Sequence, residues 1–181
     1  FNGINRSGLV RLNNDGSLDD TFKTGSGAYN VTGIAVQPDG KILISGPFYR
    51  FNGGSNQFVE RLHDDGSADK SFNFVNGSNN FVDKLLLQPN GRIIIVGYDF
   101  RIDGNLRHSI ARLNSDGSLD KTFNSGSGTN STISTISMQP DGNLIIGGYF
   151  ISFNGTGRNR LARIFGNGDY CGFSSVLSIV G

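Results

Sequence analysis

The stretch Gln37-Pro38-Asp39-Gly40-Lys41-Ile42-Leu43-Ile44-Ser45-Gly46 decides the fold. Pro38 presets φ for a turn and Asp-Gly tolerates the conformation that closes it. Residues 31–36, ahead of the turn, alternate as a strand, so residues 41–45 read as the hairpin partner. That partner is not alternating: Ile42, Leu43 and Ile44 are all apolar. A strand apolar on both faces must be covered on both faces. In an antiparallel sheet this requires a further sheet stacked on each side.

The stretch recurs. Gln37-Pro38-Asp39-Gly40 returns as Gln88-Pro89-Asn90-Gly91 and Gln139-Pro140-Asp141-Gly142, with a spacing of 51 each time. Arg11-Leu12 recurs as Arg61-Leu62, Arg112-Leu113 and Arg163-Ile164. Asp15-Gly16-Ser17-Leu18-Asp19 followed by Thr21-Phe22 is matched at Asp65 to Asp69 with Ser71-Phe72, and at Asp116 to Asp120 with Thr122-Phe123. Phe1-Asn2-Gly3 is matched by Phe51-Asn52-Gly53, Ile102-Asp103-Gly104 and Phe153-Asn154-Gly155. Four markers in one register define a tandem repeat.

Each unit reads as four short strands: residues 31–36, residues 41–45, a longer connection into residues 58–63, and a short outer strand ending at Phe72. Gly or Pro interrupts every window long enough for an amphipathic helix. The expected fold class is therefore all-β, a β-propeller-like array of four-stranded antiparallel blades with about three and a half repeats. The expected divisions are a partial blade at 1–24, repeats at 25–73, 74–124 and 125–168, and an atypical closing or docking strand at 169–181. Gly46, Gly97 and Gly148 suit a close backbone approach. A solenoid of stacked coils is the rival, but its coils are usually shorter.

Composition narrows the function. The chain has 181 residues, 16 basic and 15 acidic, and a formal charge of +1, with no basic stripe for nucleic acid. No apolar run approaches a membrane helix, so no membrane insertion is expected. Cys171 is the only cysteine, which rules out an intrachain disulfide and leaves the compartment open. Phe1 opens the chain without Met, so a processed or partial product is expected.

Residues 112–123, with Ile110-Ala111 ahead of them, resemble the delta-60 repeat family: Arg-Leu-Asn-x-Asp-Gly-Ser-Leu-Asp-x-Thr-Phe, followed by Gln-Pro-Asp-Gly. The resemblance covers residues 1 to about 165. It implies propeller-like units of bacterial surface or secreted proteins and some phage proteins, and it carries no agreed activity. Two departures stand out, one in the repeat at 25–73 and one in the repeat at 74–124. Asn56 stands where Arg6, Arg107 and Arg158 stand elsewhere, and Asp99 stands where Phe48 and Phe150 do.

Candidate chemistry is sparse. Asn13, Asp15, Ser17 and Asp19 alternate like oxygen ligands, as do Asp116, Ser118 and Asp120, but calcium needs six to eight oxygens and turn chemistry accounts for Asp-Gly. The recurring Arg11, Arg61, Arg112 and Arg163 point to inter-strand ion pairs, with Asp19, Asp69 or Asp120, or to backbone bonding, with a ring of arginines holding an anion as the functional alternative. His63 and His108 occupy different repeat positions and make neither a zinc site nor a catalytic dyad. Gly25-Ser26-Gly27 and Gly126-Ser127-Gly128 read as linkers, with no helix behind them to hold a phosphate. Phe22, Phe72, Phe123, Phe51 and Phe153 recur in phase, as packing residues between blades do. Asn5, Asn30, Asn76, Asn130 and Asn154 begin Asn-x-Ser/Thr triplets.

No catalytic, metal or cofactor residue is nominated, and no ligand-binding residue is assigned. The expected role is a non-catalytic scaffold in a larger extracellular, cell-surface or virion assembly, contacting other protein chains by self-assembly or in a complex. The alternative is a propeller module that binds a glycan or other ligand.

Overall fold

The computed structural model describes residues 8–48, 51, 58–75 and 81–166. The expectations for Arg6, Asn5, Asn56, Asn76, the first Phe-Asn-Gly, Cys171 and the strand at 169–181 lie outside the described residues.

Three antiparallel sheets carry the chain. The first joins β1 (Gly33–Val36), β2 (Ile42–Ser45) and β3 (Val59–Leu62) in that order. The second joins β4 (Val82–Leu87), β5 (Ile93–Gly97) and β8 (Ile110–Leu113). The third joins β9 (Ile133–Met138), β10 (Leu144–Gly148) and β13 (Leu161–Ile164). No helix occurs among the described residues.

The hairpin turns repeat in detail. Gly40, Gly91 and Gly142 each donate their N–H to the glutamine carbonyl three residues back, and each glutamine N–H reaches the residue after the glycine. This is a type I turn closed by a left-handed residue, with Gly40 at φ +84°. Asp39, Asn90 and Asp141 fix it further by accepting the N–H two residues on.

The fourth strand is shorter than its sequence suggests. Leu12 meets Leu18, Leu62 meets Ala68 and Leu113 meets Leu119 in single bridges. The strand then stops because Asp19, Asp69 and Asp120 accept the N–H of Thr21, Ser71 and Thr122, which turns the chain out of the ladder. The long connections hold two hairpins not read from the sequence: β6 (Phe100–Ile102) with β7 (Asn105–Arg107), and β11 (Ser152–Phe153) with β12 (Thr156–Gly157). Their turns, Asp103-Gly104 and Asn154-Gly155, have positive φ at both positions.

The sheets stack face to face, with β1 against β4 and β4 against β9. Leu43 shares one core with Ile93, Ile95 and Leu113, while Ile94, Val96 and Ile110 share the next with Leu144, Ile146 and Ile164. The middle strand is thus sealed on both sides, as its three isoleucines require. On the third sheet Ile145 is half-buried, since no described sheet covers its outer face. Gly46, Gly97 and Gly148 do mark close approaches: a Cβ there would run into the carbonyl oxygens of Asn30, Phe81 and Thr132.

Candidate functional site

The residues that recur most strictly converge on one arrangement, repeated from blade to blade. Arg61 lies on β3, and its Nε donates to Asp69 Oδ2 at 2.8 Å. Its guanidinium stacks over Phe72 at 4.9 Å, and Nη1 crosses to the carbonyl of Ser115 in the next repeat at 2.6 Å. Arg11 does the same with Asp19, Phe22 and the Asp64 carbonyl. Arg112 does so with Asp120, Phe123 and the Gly166 carbonyl. Asn73 N–H donates to the Asp116 carbonyl and Lys23 N–H to that of Asp65, adding a backbone bond at two junctions.

The aromatic ring completes the clasp. Phe22 lies against Gly66, and Phe72 against Gly117, each glycine belonging to the following repeat. A Cβ on Gly117 would stand 2.7 Å from the Phe72 ring, and φ is +89° there, so the position needs glycine on both counts. The motif that identifies the repeat is therefore the part that joins repeat to repeat.

Electrostatics follow from this geometry. Hydrogen bonds from Thr21, with help from Arg11, lower the Asp19 carboxyl to about 2. At Asp69, burial pushes upward, but bonds from Ser71 and Lys41 and the charge of Arg61 outweigh it and the carboxyl stays well below its ordinary value. Asp120 is lowered in the same way, with Thr122 and Arg112 overcoming burial. Lys41 Nζ stands 3.1 Å from Asp69 and Arg92 Nε 3.6 Å from Asp120, so those carboxylates face two cations each.

The other expected chemistries are placed differently. The arginines do not gather into an anion ring, because Arg11, Arg61 and Arg112 each sit on their own aspartate. Arg163 has Cys171 where the others have aspartate, and it bonds Gln139 at 2.5 Å and Asp141 instead. The calcium-like alternation separates into two sites: Asp15 accepts from Ser17, while Asp19 faces Arg11. No group of three metal-ligating residues occurs among the described residues. Phe51 and Phe153 are fully buried, as packing residues. Asn130 and Asn154 use their side-chain oxygens to hold local backbone N–H groups.

One pairing was missed from sequence. His108 Nδ1 lies 3.1 Å from Asp99 Oδ2, and the Ser109 hydroxyl reaches Asp99 Oδ1 at 3.4 Å and the Ser131 carbonyl at 3.2 Å. The single hydroxyl proton is directed to the carboxylate or the carbonyl and not to the imidazole, unlike the hydroxyl of a base-activated nucleophile. The available signal was Asp99 itself, polar where its repeat-mates are aromatic.

A groove of about 430 Å³ lies between two hairpin turns, lined by residues 88–90 and 138–142. Gln88 borders it, with Nε2 donating to the Gly166 carbonyl and a buried Oε1 that has no partner among the described residues.

Comparison with known families agrees with the repeat register. The family described as "Domain of unknown function (DUF5122) beta-propeller" matches residues 1–22, 37–72, 88–123 and 139–169, together well over half of the chain. Two of the matched units run from the glutamine turn to the clasp phenylalanine. No curated protein matches the chain. The chain belongs to the DUF5122 β-propeller family.

Proposed function

We propose that this chain is a non-catalytic β-propeller repeat module, a structural and protein-interaction scaffold in a larger extracellular, cell-surface or virion assembly, in line with its resemblance to delta-60 repeats. The observation that carries the reading is the use made of its buried charges. Arg61 and Arg112, with Asp69 and Asp120, are buried, and each set joins one repeat to the next. Polar groups committed in this way stabilise a particular arrangement of sheets. A catalytic site needs converging groups left free for a substrate.

The test is the mass of the native particle, measured by light scattering on material from its source. The expected result is an assembly heavier than the 19.4 kDa chain. A free monomer would overturn it.

A ligand-binding module is the second reading, and the groove beside Gln88 is what favours it. Its volume falls within the range of small-molecule sites. Its lining is proline, methionine, glycine and amide with the carboxylate of Asp141, without the aromatic ring on which a sugar stacks. A glycan array followed by calorimetry decides, with Asp141→Ala expected to abolish any binding located there.

A further inference from the structure

The clasp has a giving side and a receiving side, and one receiving side has no occupant among the described residues. Gly66 and Gly117 are buried beneath Phe22 and Phe72, whereas Gly16, at the same repeat position, is exposed, and a Cβ there would meet nothing within 4 Å among the described residues. Leu12 is 44% exposed, while its equivalents Leu62, Leu113 and Ile164 are fully buried. On β1, Ile34 and Val36 are 56% and 64% exposed, while Leu85, at the position of Ile34, is buried against the preceding sheet. Four positions are thus open where the same positions in later repeats are covered. All four face the side from which a preceding repeat would approach.

What covers the later positions identifies the occupant. Gly66 and Gly117 are each filled by a phenylalanine that lies three residues after an arginine-bound aspartate. We propose that Leu12, Gly16, Ile34 and Val36 form a docking face for a further repeat of this family, one carrying the arginine and the Asp-x-Thr/Ser-Phe set. Its phenylalanine would seat on Gly16 and its arginine on the Asn14 carbonyl, which corresponds to the carbonyls of Asp64 and Ser115. Its first two strands would cover Ile34 and Val36. The chain's own clasps do not serve, because Phe22 and Phe72 are seated already and Arg112 is bound to Gly166. This inference rests on the scaffold reading above and names the partner.

The experiment has two parts. In the 181-residue chain, hydrogen exchange is followed at Gly16, Gly66 and Gly117, whose N–H groups make the same turn bond. Gly16 is expected to exchange at least tenfold faster than the other two. The chain is then lengthened by a copy of residues 51–101 placed ahead of Phe1, the register in which Ile102 corresponds to Phe1. Exchange at Gly16 is expected to slow to the rate of Gly66 and the melting temperature to rise. Phe72→Ala in the added copy alone should restore fast exchange at Gly16.

The proposal is overturned if Gly16 is already protected in the 181-residue chain. Protection lost on removing residues 167–181 would assign the face to the chain's own end, and protection lost on dilution would assign it to a second copy. It also fails if the lengthened chain melts no higher, or does not melt cooperatively. A heavy native particle alongside any of these results would leave the scaffold reading standing and remove only this partner.

Discussion

At the scale of single residues, the glycines of the clasp separate two effects that usually coincide. Gly16 and Gly117 share a left-handed backbone, with φ of +81° and +89°, but only Gly117 lies under a ring. Gly16→Ala should therefore cost about 1 kcal/mol, the conformational penalty alone. Gly117→Ala should cost about 1–3 kcal/mol more, through overlap with Phe72. Urea denaturation of the two variants measures the difference, and equal losses would remove Phe72 from its seat. Protonation is a second test. Asp19, Asp69 and Asp120 titrate below the ordinary value of 3.8 when folded, so their contribution is complete above that value and is lost as pH falls through the folded pKa. The urea midpoint should drop as pH falls from about 4 toward 2, less steeply in Asp69→Asn. The arginine–aspartate pairs were legible in the sequence because both members recur at a fixed offset within one unit. The contact of phenylalanine with glycine was not, since it joins residues of different units and no offset states which neighbour a ring will reach.

At the scale of elements, the central strands carry the clearest contrast. Ile94 and Ile145 hold the same repeat position, yet Ile94 is sealed between two sheets and Ile145 is half-buried. Ile94→Ala should cost about 2–5 kcal/mol and Ile145→Ala well under half of that, read from thermal or urea melts. Strand count was legible for three strands per unit. The fourth shrank to one bridge because an aspartate that looks like a strand residue bonds the N–H two residues on and turns the chain. The hairpins at Asp103-Gly104 and Asn154-Gly155 went unread although their turns are the strongest short hairpin signals available. Their strands are two or three residues long, too short for alternation to register.

At the scale of the molecule, the main contacts among the described residues run from each sheet to its neighbour, so stability is nearly a sum over units and junctions. The middle sheet has two junctions. Its β5 amides should exchange with solvent most slowly, and those of β1 and β13 faster, in a native-state exchange series. A uniform rate across the three sheets would mean that the array opens as a single body. Apart from the shared apolar cores, each clasp draws its arginine, aspartate and phenylalanine from one repeat and meets a carbonyl and a turn of the next. Arg11, Arg61 and Arg112 each reach a peptide oxygen, of Asp64, Ser115 and Gly166, and Arg11 also pairs with the Asp64 carboxylate. A bond to a main-chain carbonyl does not depend on the side chain of the residue that offers it, whereas the seat of the ring requires glycine. Unequal crossing-over among the first three copies would keep the clasp intact at the new boundary, because each carries both the arginine–aspartate–phenylalanine set and the receiving glycine.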